Sequence, residues 1–213
     1  MPEDKFNVSK SNTLVNSPVA SDVYVLLPPD FSSGISFMQA LQDRRSSHSY
    51  SLCNISDIQL STLLWAANGV NRNLTNSSSS GMRTAPSVKN FQEIEVYVFI
   101  LSGIYQYDAS NHHLKLVRAG DYRKDCGMQP FFAEVPLGLC LVADFSKMGK
   151  FDEKKRNFYS GTDAGYVSQN IYLYCASEGL ATTACGLIDR KHLHQLLFLD
   201  NAKAMLSHPV GGL

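Results

Sequence analysis

Ile94-Glu95-Val96-Tyr97-Val98-Phe99-Ile100-Leu101, followed by Ser102-Gly103-Ile104-Tyr105-Gln106-Tyr107 and Asp108-Ala109-Ser110-Asn111, is the stretch on which the fold turns. Its first eight residues are almost continuously apolar, β-branched and aromatic. That composition predicts a central strand buried on both faces. Ile104–Tyr107 and Leu114–Val117 flank the polar turn at 108–111 and predict an antiparallel hairpin. Leu137–Val142 reads as another buried strand, and Val23–Leu27 as a short one stopped by Pro28-Pro29. Helical patterns surround these strands. One helix begins at Ser36, with Gln39 at capping-box spacing and Phe37, Ala40 and Leu41 on its buried face. A second begins at Ser56 with Gln59, buries Ile58, Leu60, Leu63, Leu64 and Ala67, and ends at Gly69 in a left-handed cap. The third runs from about Thr162 to Glu178 before Gly179, with Ala164, Val167, Ile171, Tyr174 and Cys175 at core spacing. Two apolar segments, Leu193–Leu199 and Ala202–Val210, close the chain. Helices interleaved with hairpin-linked strands predict an α+β fold rather than a doubly wound α/β sheet.

The organisation expected is an extended N-terminal arm over residues 1–34 and one domain over 35–213. The polar run from Asn73 to Gly81 cannot pack and predicts a surface loop. A chain of 213 residues should bury roughly 70% of its unfolded surface, so it needs neither metal nor disulfide to hold together. Nineteen Lys and Arg balance nineteen Asp and Glu. That balance argues against a broad nucleic-acid surface or a polybasic membrane surface. No run of 18 apolar residues exists, which excludes a transmembrane helix. Met1–Asn16 is polar and lacks the apolar stretch of a secretory signal. Five cysteines, an odd number, make no disulfide framework and read as buried thiols. The expected location is the cytoplasm, or the periplasm if a leader has been removed.

Several chemistries lack their motif. No Gly-x-Gly-x-x-Gly follows a strand and no P-loop occurs. His112-His113 and His192-Leu193-His194 do not put two imidazoles on one helical face, so no metal site is expected. Cys126 and Cys185 lie in less regular sequence than Cys140 and Cys175 and are the better nucleophile candidates, although packing is the simpler reading for all four. Three segments stand out. Asp43-Arg44-Arg45-Ser46-Ser47-His48 gathers donors for a small anion at a helix end, or merely compensates the helix dipole. Arg83-Thr84-Ala85-Pro86-Ser87-Val88-Lys89-Asn90-Phe91-Gln92 offers amides and hydroxyls for a heterocycle edge, or is an ordinary lead into a strand. Gly179–Gly186 is small and backbone-rich, which suits a flat ligand or a simple turn.

Together these segments resemble the flavin-dependent nitroreductase family, in particular its SagB-type dehydrogenase-like branch. The Arg44-Arg45-Ser46 motif, Leu63-Leu64-Trp65-Ala66-Ala67-Asn68-Gly69 and Arg83–Ser87 occur in family order. So do Gln92–Val98, Ser168–Leu173, Glu178–Thr182 and His208-Pro209-Val210-Gly211. The resemblance implies a nitroreductase-like fold: a central antiparallel-rich sheet flanked by helices, in an intertwined homodimer with FMN at the subunit interface. By family position Arg44, Arg45, Ser46 and His48 hold the phosphate and ribityl end. Pro86, Ser87, Val88, Asn90 and Gln92 approach the flavin of the other subunit. Ala184, Cys185 and Gly186 lie near the isoalloxazine, with a main-chain N–H directed at N5.

The activity implied is a ping-pong hydride transfer from NADH or NADPH, through flavin N5, to a small-molecule acceptor such as a nitroaromatic or quinone. The cofactor carries that chemistry, so no catalytic acid, base or nucleophile is nominated. Two alternatives are a SagB-type dehydrogenase on a peptide or azoline-like substrate, and a flavin-storage protein with little turnover. Three departures from the family bear on affinity. His48 stands where relatives often have Arg or Lys, and Cys185 where several have Glu. The basic C-terminal residues that some members place on the phosphate have no counterpart after Gly211-Gly212-Leu213. All three imply a weaker hold on FMN.

Overall fold

A computed structural model describes residues 13–51, 54–72 and 81–213. Most of the predicted Ser-rich loop, residues 73–80, lies outside the described residues, as do Cys53 and the start of the arm. In chain order the elements are β1 (Val23–Val25), α1 (Phe37–Asp43), α2 (Asp57–Asn68), β2 (Val70–Arg72), β3 (Met82–Arg83), β4 (Ile94–Ile100) and β5 (Gly103–Asp108). They continue with β6 (His113–Ala119), β7 (Leu137–Asp144), α3 (Glu153–Ser177), β8 (Leu180–Thr182), α4 (Arg190–Leu196) and β9 (Ala202–Gly212).

Seven strands form one sheet in the order β1-β6-β5-β4-β7-β9-β8, and every pairing is antiparallel. β4 is the middle strand. Its alternate residues enter two different cores, because successive strand side chains point to opposite faces. Val96, Val98 and Ile100 pack with Leu60, Leu63 and Leu64 of α2 and Ile171 of α3. Tyr97 and Phe99 pack with Phe132 and with Leu193 and Leu196 of α4. Apolar residues are therefore required on both faces, which explains the nearly continuous apolar run in the sequence. Each fully buried leucine of α2 contributes about 1.5–3 kcal/mol.

Ser56 and Gln59 form the expected capping box at the start of α2. Gly179, expected at the end of α3, follows it with a left-handed backbone, φ +65°. Three expectations are corrected. Gly69 ends α2 with φ −74°, outside the left-handed region. A glycine is needed there because a Cβ would lie 2.5 Å from the Trp65 side chain and 2.7 Å from its carbonyl oxygen. Secondly, α1 buries Ala40 but leaves Phe37 65% and Leu41 39% exposed. This two-turn helix meets α3 through its small residue, so its larger apolar side chains face outward. Thirdly, α3 begins at Glu153 rather than near Thr162. Asp152 caps it by accepting the Lys155 N–H, and its first turns are largely polar, so apolar periodicity is silent there.

Among the described residues, no helix is long and apolar enough to cross a membrane. No group of three or more His, Cys, Asp or Glu side chains among them is placed to hold a metal.

Candidate functional site

After α1 the chain turns at Arg44 (φ −55°, ψ 121°) into an irregular segment laid alongside β8. Two main-chain ties hold it: Ser47 N–H donates to the Thr182 carbonyl at 3.0 Å, and Ser51 bridges to Gly212. On this segment Arg44 and Ser46, two residues apart, both meet Tyr172 of α3. The Arg44 guanidinium lies 5.3 Å from the tyrosine ring centroid. Ser46 Oγ is hydrogen-bonded to Tyr172 Oη at 2.8 Å. Asp43, Arg45 and Ser47 instead line a cavity of about 310 Å³ whose further walls include Tyr172, Thr182 and Leu213. His48 is exposed, with its ring 6.1 Å from that of Phe131.

The segment after β8 reaches the same tyrosine. Ala184 N–H donates to Tyr172 Oη at 2.7 Å. The main chain of Cys185 is held on both sides, its N–H by the Ser207 carbonyl and its carbonyl by the Ser207 N–H. Gly186 is exposed, and a Cβ built on it would meet nothing within 4 Å. Behind this wall His208 is fully buried. Its Nε2 is bonded to Ser168 Oγ at 2.8 Å and its Nδ1 to Thr182 Oγ1 at 3.1 Å. Burial lowers its pKa to about 3, so the ring is neutral, and it packs against Tyr172 in a T-shaped pair with ring centroids 5.3 Å apart. The four described cysteines are buried, and burial pushes Cys140 up to about 12 and Cys185 to about 11. A thiol held protonated in this way is packing rather than a nucleophile.

The Pro86–Gln92 loop is built elsewhere. Lys89, Asn90 and Gln92 all have left-handed backbones, with φ between 48° and 55°. Such conformations persist in non-glycine residues only where the surroundings over-determine them. Here Val88 N–H donates to Asp163 Oδ2 at 2.8 Å, and Gln92 N–H to Ser87 Oγ at 3.0 Å. The Gln92 amide donates to the Gly81 carbonyl and Asn90 Oδ1, and accepts from Arg83 Nε. Beneath the loop Glu93 is completely buried, with Asp163 and Ser160 beside its carboxyl. Burial first, then the negative charge of Asp163 beside it, push its pKa up to about 7. Asp163 and Tyr172 are nine residues apart on α3, which separates the two groups by roughly 13 Å along the helix.

One chain therefore brings Arg44, Ser46 and Ala184 together around Tyr172, with Cys185 and Gly186 following directly. Arg45 is turned to the neighbouring cavity, and Pro86, Ser87, Val88, Asn90 and Gln92 stand at another level of α3. Tyr172 and His208 were not among the candidates. Tyr172 lies off the 164/167/171/174/175 core stripe, and an aromatic in that position was the signal available.

The sequence model described as the nitroreductase family matches residues 41–212. A protein of Methanocaldococcus jannaschii named as a nitroreductase is 25% identical over 193 residues, covering 86% of this chain and 93% of its own. A crystal structure from Ralstonia eutropha, also named as a nitroreductase, is 37% identical with a TM-score of 0.82 and covers 93% of this chain and 94% of its own. The NADPH:FMN oxidoreductase of Vibrio harveyi, solved with NAD+, shares the fold at 17% identity and a TM-score of 0.59, over 83% of this chain and 68% of its own.

Proposed function

The chain belongs to the nitroreductase family, and on that premise we propose that it is an FMN-dependent oxidoreductase that works as a homodimer. One observation carries the reading: Arg44 and Ser46 share a wall with the small Ala184–Gly186 segment, more than a hundred residues away in sequence. The residues present fit the cofactor. A guanidinium and a hydroxyl suit a phosphate and ribityl oxygens. Open space over Gly186 suits the approach of a flat ring to the backbone. Ala184 N–H is committed to Tyr172 and Cys185 N–H to Ser207, which leaves Gly186 as the main-chain donor for N5.

The site is completed by the second copy. Pro86, Ser87, Val88, Asn90 and Gln92 of one chain reach the flavin held by the other. Apolar side chains left exposed on one copy support this: Phe37, Met38 and Leu41 on α1, and Phe158 and Tyr166 on α3 beside Pro86 and Val88. A second copy would cover them. Arg44, Arg45 and Ser46 bind and orient the phosphate end, His48 flanks it, and small residues at 184–186 admit the ring. Bound FMN supplies hydride chemistry at N5, from NADH or NADPH to an oxidised acceptor such as a nitroaromatic or quinone, in a ping-pong cycle.

The test is an absorbance spectrum of the purified protein with and without FMN, followed by anaerobic NADH and NADPH. A bound yellow cofactor that bleaches with either nucleotide is the result expected. Bound flavin that never bleaches would favour the peptide dehydrogenase or storage reading. No binding would overturn the FMN reading altogether.

A further inference from the structure

Among the described residues, Tyr172 is hydrogen-bonded to both segments of the proposed flavin wall. Its hydroxyl has one proton and two lone pairs. Ala184 N–H occupies one lone pair at 2.7 Å, and Ser46 Oγ sits 2.8 Å away. The ring is confined as well. Neutral His208 packs against it in a T-shaped pair with ring centroids 5.3 Å apart, and His208 is itself fixed between Ser168 of α3 and Thr182 of β8. The Arg44 guanidinium lies over the ring, also at 5.3 Å. No other described residue joins residues 44–46 to residue 184 through a side chain.

We propose that Tyr172 is a positioning residue for the flavin site. Its hydroxyl fixes the spacing between the phosphate-end segment and the ring-side segment, and its ring carries Arg44. The proposal rests on the FMN reading above. Either hydroxyl can donate in the Ser46–Tyr172 bond; with the phenol as donor, the serine's own proton is free for a ribityl or phosphate oxygen of the cofactor. Ala184 N–H is kept off the ring, which aims Gly186 at N5. Arg44 gains a cation–π seat that limits its rotamers before any anion arrives.

The experiment uses the full chain and Tyr172→Phe, which removes only the hydroxyl. FMN affinity, read by absorbance titration, should fall about five- to tenfold, as expected for loss of one or two hydrogen bonds. Ser46→Ala and the double variant complete a cycle whose coupling reports the Ser46–Tyr172 bond, the one interaction that both changes remove. The midpoint potential of the bound flavin should also shift, because the Ala184–Gly186 backbone is no longer pinned. In cofactor-free protein the Ala184 amide should exchange faster with solvent. A tyrosine that is only structural would lower the melting temperature and leave the potential unmoved.

Wild-type and Tyr172→Phe proteins with equal FMN affinity and equal potential would overturn the proposal while leaving the FMN reading intact. Wild-type protein that binds no FMN would overturn that reading and with it any role for Tyr172 toward flavin.

Discussion

Replacing Glu93 by Gln should make the protein more stable at alkaline pH and leave it nearly unchanged in acid. Glu93 is completely buried beside Asp163, and burial followed by that charge raises its pKa from 4.5 to about 7. Between those values the folded chain holds a proton that the unfolded chain has released. Stability therefore falls as pH rises through the window and is flat above it. At about 1.36 kcal/mol per pH unit, the full window corresponds to about 3 kcal/mol. His208 works in the opposite sense. Its pKa is lowered by burial from 6.5 to about 3, so its contribution is lost as pH falls through that range. The two slopes oppose each other between about pH 4.5 and 6.5, and the wild-type profile alone would hide both. The difference between wild type and Glu93→Gln isolates the glutamate, since His208 is common to both. The amide also keeps a donor for Asp163, which anchors Val88. Urea unfolding of both proteins from pH 4.5 to pH 8 reads the effect directly. The gain should grow from near zero to as much as about 3 kcal/mol. A stability difference that is constant across pH would refute the buried-acid reasoning.

Arg44→Ala should weaken FMN binding by about 1.5–3 kcal/mol, the worth of a charge-assisted hydrogen bond, whereas Arg45→Ala should cost clearly less, because only Arg44 has its guanidinium seated over the Tyr172 ring; parallel flavin titrations compare them. Gly186→Ala should leave thermal stability within about 0.5 kcal/mol of wild type, since a Cβ meets nothing there, yet reduce flavin binding by crowding the ring; melting and titration separate the two effects. Gly127→Ala should destabilise by about 1–3 kcal/mol, because its Cβ would fall 2.1 Å from the buried ring of Phe132; chemical denaturation measures it.

What the sequence disclosed depended on whether one segment carried its own signal. The middle of the sheet was legible because β4 feeds two cores and is apolar on both faces. The start of α2 was legible because Ser56 and Gln59 satisfy each other locally. The first half of α3 was not, since a polar run such as Glu153-Lys154-Lys155-Arg156 has no apolar period to read; only the Asp152 cap marks it. The outward face of α1 was misread because apolar spacing predicts burial without saying against what. At the site, Arg44, Ser46 and Ala184 were named through resemblance and lie together. Tyr172 stood inside the Ser168–Leu173 motif but was given no role of its own, because its partners come from distant parts of the chain. Arg45 looked equivalent to Arg44 because adjacency in sequence does not reveal that a turned backbone sends one over the Tyr172 ring and the other to the lining of a cavity.

β9 is inserted between β7 and β8 rather than added at an edge, and this bears on how the protein is made. Until residues 202–212 leave the ribosome, β7 has a bare hydrogen-bonding edge on a strand that is apolar along nearly its whole length. Such an edge invites pairing with another nascent chain. The Ser51–Gly212 bridge and the Cys185–Ser207 pair, which set the two segments of the proposed flavin wall against the sheet, wait for the same residues. A translating chain therefore passes through a vulnerable interval in which most of the sheet can exist but the binding wall cannot. Fold completion and readiness to take up cofactor arrive together, once residues 202–212 are in place. Chaperone demand should be greatest just before that point.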